Sequence, residues 1–199
     1  MQPAAEIFAP FFFQSSGGPG ATAPQHEIKL RGARFAADPA VPPRGTCVLL
    51  NGQTEFIEKY FEVIDELRGR GLAVATMDWR GQGGSQRFLD DSRKGYVKDF
   101  TEYDDDLAAF MAQVVAPMAG GKPIALAHSM GGHNLLRTLA KKPDTFAQAV
   151  LTAPMVAVSF RGYAGWLVHM VTKIESLRGN GAGWVWGGRG SKNYSAELV

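Results

Sequence analysis

The chain has 199 residues, enough for one domain with a sizeable core. Its 21 basic and 19 acidic side chains nearly balance, which argues against a nucleic-acid partner and against strong attraction to anionic membranes. A single cysteine, Cys47, excludes an intramolecular disulfide, and no apolar run reaches the ~18 residues that a membrane span requires. The N-terminus lacks the basic region of a signal peptide, so the sequence predicts a cytoplasmic location, at most peripheral to a membrane.

Strand and helix signals alternate along the chain after residues 1–25, which are rich in proline, glycine and serine and are predicted to be irregular. Residues 28–31 and 33–35 suggest a short hairpin. Further strands are predicted at 46–50, 72–77, 124–127 and 149–152, and helices at 57–67, 100–114 and 130–141. Strands separated by helices of this length predict βαβ crossovers and a mostly parallel sheet.

The pattern changes after residue 154. Apolar residues at helical spacing predict one long amphipathic helix over 160–177, followed by a glycine- and tryptophan-rich segment at 179–190. This arrangement is typical of a lid inserted after a core strand. We therefore expect three regions: an N-terminal arm (1–25), an α/β core (26–154) and a cap (155–199).

The most informative motif is Ala-His-Ser-Met-Gly-Gly at 127–132, between a predicted strand and a predicted helix. A serine on such a sharp turn exposes its hydroxyl as a nucleophile, and its neighbours two positions away must be small. Here they are Ala127 and Gly131. Ser129 is therefore the candidate nucleophile, and an ordinary helix N-cap is the alternative interpretation.

Two further motifs precede the serine. Leu-Asn-Gly-Gln-Thr-Glu at 50–55 resembles a His-Gly-x-x-Glu oxyanion loop, and Asp-Trp-Arg-Gly-Gln-Gly-Gly-Ser at 78–85 resembles an Asp-x-x-Gly-x-Gly-x-Ser turn. With these motifs in this order, the chain resembles α/β-hydrolases of the lysophospholipase and monoacylglycerol-lipase-like group, of the serine aminopeptidase S33 type. The resemblance implies a mostly parallel sheet flanked by helices, with the start of a helical cap. Asn51 replaces the histidine of the family's loop, and Ala127 replaces the first glycine of its elbow.

The resemblance also implies a chemistry. Ser129 would attack an ester carbonyl to form an acyl-enzyme, with the backbone N–H groups of Gln53 and Met130 as the oxyanion hole. It implies monoacyl lipid substrates, either lysophospholipids or monoacylglycerols, and no cofactor or metal ion. Large apolar side chains of the cap are candidates for an acyl channel, and they are equally well explained as the cap's own core: Phe160, Trp166 and Trp184.

The general base is the open question, because in this fold the acid and the histidine follow the serine. The only later histidine, His169, falls in the predicted cap helix, and no later acidic residue ends a recognisable strand. We therefore expect the final strands, the acid and the histidine to lie beyond Val199. The alternative is a truncated or non-catalytic relative that binds a small apolar ligand or a partner.

Other polar residues have simpler interpretations. Asp78 is expected to hold its turn, His128 to have a structural role and His133 to pack. Asp104 to Asp106 are expected to lie mostly on a solvated helix face rather than bind a metal. Basic side chains near the 78–85 turn, Arg80 among them, are candidates to meet a phosphate head group. We expect a small lipid ester as substrate, no nucleic acid, and no more than transient contact with a membrane surface. The sequence does not predict the oligomeric state.

Overall fold

A computed structural model describes residues 1–16, 27–118, 120–157, 162–180 and 183. Within that part the strands are β1 (Phe11–Ser15), β2 (Ile28–Phe35), β3 (Gly45–Leu50), β4 (Leu72–Met77), β5 (Ile124–His128) and β6 (Gln148–Thr152). They form one six-stranded sheet in the order β1-β2-β4-β3-β5-β6. The pairs from β4 to β6 are parallel, whereas β2 runs antiparallel to both β1 and β4. The predicted α/β class with a mostly parallel sheet is confirmed.

The described helices are α1 (Phe61–Gly69), which follows a 3₁₀ turn at Ile57–Tyr60, α2 (Thr101–Phe110), which continues into a π-helical turn at Met111–Val115, α3 (Met130–Lys141) and α4 (Gly165–Leu177). Those predicted at 57–67, 100–114 and 130–141 are therefore confirmed. Their apolar periodicity is that of helices with one face against a core.

Helices cover both faces of the sheet. On one face, Ile64 of α1 packs with Leu49 of β3. On the other, Leu107 of α2 and Leu135 of α3 pack with Leu50, also of β3. Adjacent residues of one strand thus point into two separate cores, which is why β3 reads as an unbroken apolar run. Cys47 of this strand is buried, as a small hydrophobe would be.

The N-terminal region is more regular than its composition suggests. The prediction of an irregular arm at 1–25 is wrong for β1, because Phe13 inserts into the core 5.7 Å from the ring of Phe110. Antiparallel pairing with β2 then completes the strand. The predicted hairpin at 28–35 is also wrong, because β2 is one continuous strand with partners on both sides.

The helix that the structure describes in the predicted cap region is α4. None of the residues of α4 is buried, and Trp166 is 69% exposed. In the described part of the chain, no helix combines the length and the apolarity needed to cross a bilayer. The division into arm, core and cap stays a prediction.

Candidate active site

Ser129 occupies a strained turn between β5 and α3. Its backbone has φ 49° and ψ −114°, a conformation that a residue with a Cβ rarely adopts. Two hydrogen bonds hold it there: its N–H donates to the Thr152 carbonyl (3.0 Å), and its own carbonyl accepts from the Met155 N–H (2.9 Å). This geometry fits a nucleophile elbow, whereas an N-cap serine has an extended backbone and a side-chain cap bond, which Ser129 lacks.

The loop after β3 lies directly against this serine. A Cβ atom placed on Gly52 would stand 3.2 Å from the Cβ of Ser129. Asn51, immediately before it, is fully buried and donates from its side-chain amide to the Met77 carbonyl (3.1 Å). Where the family pattern has a histidine, Asn51 thus ties the loop to the end of β4.

Side chains fix the next residues of this loop. The Glu55 carboxylate accepts the Gly52 N–H (2.7 Å) and the Tyr60 hydroxyl, and burial together with Glu55 raises the pKa of Tyr60. The Thr54 N–H donates to the side-chain oxygen of Gln82. The loop is therefore held by the 3₁₀ turn that follows it, through Tyr60 and Glu55, and by Gln82 of the turn after β4.

The two residues predicted as oxyanion donors belong to the two segments that meet at Ser129. Gln53 lies in the braced loop, and Met130 begins α3 directly after the serine. Among the hydrogen bonds of the described residues, neither backbone N–H is given to an acceptor. Their assignment as an oxyanion hole stays a prediction.

Asp78 has the bracing role predicted for it. It is fully buried, and its carboxylate accepts the backbone N–H groups of Ile57 (3.0 Å) and Gly84 (2.8 Å). It also accepts a hydrogen bond from the Arg31 guanidinium (2.6 Å). Burial raises the pKa of Asp78, and the charge of Arg31 opposes that shift. Asp78 therefore joins the turn after β4 to the 3₁₀ turn that precedes α1.

No described histidine hydrogen-bonds to the Ser129 hydroxyl. A ring nitrogen of His128 lies 3.0 Å from the Thr152 hydroxyl, and His133 packs edge-on against Phe100 with ring centroids 5.4 Å apart. His128 therefore has a structural role and His133 packs, as predicted for each. His169 is an exposed residue of α4.

Comparison with known proteins identifies the family to which the chain belongs. The family model described as serine aminopeptidase, S33 (Hydrolase_4) matches residues 41–182, more than half of the chain. The chain belongs to this family of α/β-hydrolases.

Several relatives of this α/β-hydrolase have names that refer to lipids. Over 135 residues it is 41% identical to lysophospholipase L2 of Escherichia coli strain K12, covering 68% of this chain and 39% of that protein. It is 29% identical to a monoacylglycerol lipase of Mycolicibacterium smegmatis, over 63% of this chain and 44% of the relative. The crystal structure of a Paleococcus ferrophilus monoacylglycerol lipase superimposes with a TM-score of 0.58 at 26% identity, over 73% of this chain and 51% of that one. The chain thus spans less than half the length of these two sequence relatives.

Two predictions about charged residues of this α/β-hydrolase are wrong. Arg80 does not face a substrate: it is 1% exposed and binds both carboxylate oxygens of Asp106, at 2.6 and 2.8 Å. Asp106 is correspondingly buried rather than solvated, and it also accepts from the Ser15 hydroxyl (2.6 Å). One signal was available, because Asp106 lies three residues after Tyr103 and four before Phe110, on the buried face of α2.

Of the three residues predicted to line an acyl channel, one lies in the part of the chain that the structure describes. Trp166 lies on α4 with most of its surface exposed. Phe160 and Trp184 lie outside the described residues. Within the described ranges, no group of three or more histidine, cysteine, aspartate or glutamate side chains could hold a metal ion.

Proposed function

We propose that this α/β-hydrolase uses Ser129 to cleave the ester bond of monoacyl lipids, either lysophospholipids or monoacylglycerols. The observation that carries the proposal is the strained backbone of Ser129 with Gly52 packed against it. Strain of this kind costs about 1–3 kcal/mol and persists where function requires it.

The chemistry follows from acyl transfer. The Ser129 oxygen attacks the ester carbonyl while its proton passes to a general base, and the carbonyl oxygen becomes an oxyanion facing the N–H groups of Gln53 and Met130. The intermediate collapses, the carbon–oxygen bond of the ester breaks, and the base returns the proton to the departing alcohol. Water then attacks the acyl-enzyme by the same route, which frees the fatty acid and restores the serine hydroxyl.

The names of the relatives support the substrate class. One is called a lysophospholipase and two are called monoacylglycerol lipases. They do not favour the alternative of a non-catalytic binding protein. Trp166 supplies an exposed aromatic surface on α4 for an acyl chain. The proposed partner is thus a small lipid ester, met in the cytoplasm or through transient contact with a membrane surface.

The first test is covalent labelling with a fluorophosphonate probe, which reacts with activated serines. The probe reacts only where a general base activates the serine. In wild-type protein that contains this base we expect labelling, its loss in Ser129→Ala, and no change in Ser92→Ala, which removes an exposed loop hydroxyl. Labelling of the 199-residue chain that is lost in His169→Ala would instead identify His169 as the base. A folded wild-type protein that stays unlabelled would contradict the proposal for this chain.

The second test measures substrate class. Fatty acid release would be followed from 1-oleoyl lysophosphatidylcholine, from 1-oleoylglycerol and from a dioleoyl phospholipid. We expect release from one or both monoacyl esters, little from the diacyl lipid, and none with Ser129→Ala. Equal or faster cleavage of the diacyl lipid would contradict the proposed substrate class.

A further inference from the structure

One buried amide contacts both halves of the proposed oxyanion hole. Gln82 is 3% exposed, in the turn after β4. Its side-chain oxygen accepts the Thr54 N–H, and its side-chain nitrogen lies 3.9 Å from the sulfur of Met130. The first contact reaches the loop that carries Gln53, and the second reaches the first residue of α3.

The residue that Gln82 holds is in an unfavourable conformation. Thr54 has φ 62°, in the left-handed region, where a β-branched side chain is an outlier. Such a residue keeps its conformation only when its surroundings impose it. The hydrogen bond that the Thr54 N–H donates to the Gln82 side chain supplies that constraint, from a segment far away in sequence.

Among three successive backbone N–H groups of the loop, the middle one, that of Gln53, differs from its neighbours. The N–H groups of its two neighbours are both taken, that of Gly52 by Glu55 and that of Thr54 by Gln82. Among the described residues, the N–H of Gln53 between them has no acceptor. Since both neighbouring peptide groups are fixed, the direction of the Gln53 N–H is fixed as well.

We propose that Gln82 is a positioning residue for catalysis, which orients the Gln53 N–H by holding Thr54 in its left-handed conformation. Gln82 does not touch the substrate, and its effect passes through the backbone of the loop. This inference rests on the proposed function, because an oriented donor matters to a reaction that develops an oxyanion.

The structural part of the inference is tested by amide hydrogen exchange of the ¹⁵N-labelled chain, residue by residue. Gln82→Met keeps the length and burial of the side chain and removes the acceptor, so exchange at Thr54 should rise about tenfold or more. Gln82→Glu keeps an acceptor oxygen and should retain most of the protection. Thermal unfolding identifies any variant that has lost its fold.

The chain offers a matched control in the same turn. The side-chain oxygen of Gln86 accepts the Lys29 N–H at 3.0 Å, on an exposed residue away from the loop after β3. Gln86→Met removes the same kind of bond and should leave exchange at Thr54 unchanged. An unchanged Thr54 in Gln82→Met would overturn the inference.

Kinetics on a short-chain p-nitrophenyl ester give the functional readout. We expect Gln82→Met to lower kcat by about 10- to 100-fold with KM nearly unchanged, because a misdirected donor is felt mainly in the transition state. Gln86→Met should keep wild-type kcat. A loss confined to KM, or an equal loss in both variants, would overturn the positioning role. If wild-type protein hydrolyses no ester, the proposed function fails, and exchange at Gln53 and Thr54 still decides whether Gln82 orders the loop.

Discussion

Gly131 and Leu50 meet backbone to backbone. A Cβ atom at position 131 would lie 2.5 Å from the carbonyl oxygen of Leu50 and 2.6 Å from that of Asn51. Real Cβ atoms do not approach backbone oxygen that closely, so only glycine allows α3 to begin where it does. This contact keeps the elbow of Ser129 beside the loop of Gln53.

Gly131→Ala should therefore destabilise the protein by about 1–3 kcal/mol, because the backbone of β3 or α3 must move to admit the methyl group. Urea unfolding measures the change. Gly69→Ala is the matched control, since a Cβ on this last residue of α1 meets only a side-chain atom 4.0 Å away. It should be neutral or slightly stabilising, and an equal loss in both variants would contradict the close-contact explanation.

The strain at Ser129 predicts an unusual order of stabilities. Replacing Ser129 by glycine removes the Cβ that makes φ 49° unfavourable, whereas alanine retains it. We expect Ser129→Gly to be more stable than Ser129→Ala by about 1 kcal/mol, and Ser129→Ala to stay near wild type. Denaturant unfolding of the three proteins tests this, and a glycine variant less stable than the alanine variant would count against strain.

The buried pair of Arg80 and Asp106 should be costly to break. Asp106→Asn removes the carboxylate that binds Nε and Nη2 of Arg80 and leaves Glu102 as the remaining ion-pair partner of this guanidinium among the described residues, so we expect a loss of about 2–3 kcal/mol. Glu66→Gln is the comparison, because its partner Arg70 is on the surface and the pair should contribute less than about 1 kcal/mol. Thermal and urea unfolding give both values, and similar small losses would show that burial does not matter here.

Stability should fall in alkaline solution because of Cys47. Burial raises the pKa of its thiol to about 11 from an ordinary value near 9. Between these values the unfolded chain has lost the thiol proton and the folded chain retains it, so the free energy of unfolding decreases as pH rises. The loss amounts to about 1.4 kcal/mol per pH unit across that window.

Cys47→Ala isolates this contribution, because the remaining groups titrate equally in both proteins. The difference in unfolding free energy between wild type and variant should shrink from pH 9 to pH 11 and stay level below pH 8. Alkylation by iodoacetamide at pH 8 should be slow in the folded protein and fast in urea. A difference that does not vary with pH would contradict the raised pKa.

The elements that could be predicted are those with a strong local pattern. Met130–Lys141 follows a sharp turn motif and forms the helix predicted from it. β1 could not be recognised in the same way, because its three phenylalanines stand among prolines and glycines. Its strand character comes from pairing with β2 and from the insertion of Phe13 against Phe110, and both depend on distant sequence.

In the candidate site, too, the features that could be predicted are those that depend on local sequence. The motif at 127–132 was sufficient to find the nucleophile candidate. The motif at 78–85 was sufficient to predict that Asp78 holds its own turn through Gly84, whereas its bonds to Ile57 and Arg31 come from distant segments. The bonds that Thr54 donates to Gln82 and that Arg80 donates to Asp106 join segments separated by long stretches of chain. From residue type alone, Arg80 and Asp106 are expected to be exposed to solvent. Both can be buried because their opposite charges form an ion pair.

The two hydrogen bonds at Ser129 also bear on the order in which the chain folds. Both partners, Thr152 and Met155, come from β6 and the residues just after it, and reach the serine only when β6 has paired with β5. Parallel pairing across a helical crossover is slow, because loop-closure entropy must be overcome before the contacts form. That cost grows with the length of chain between the paired residues, which is 24 residues for β5 and β6 and 77 residues for β3 and β5. The turn at Ser129 should therefore acquire its geometry together with the β5–α3–β6 unit, before β3 and β5 pair at the centre of the sheet.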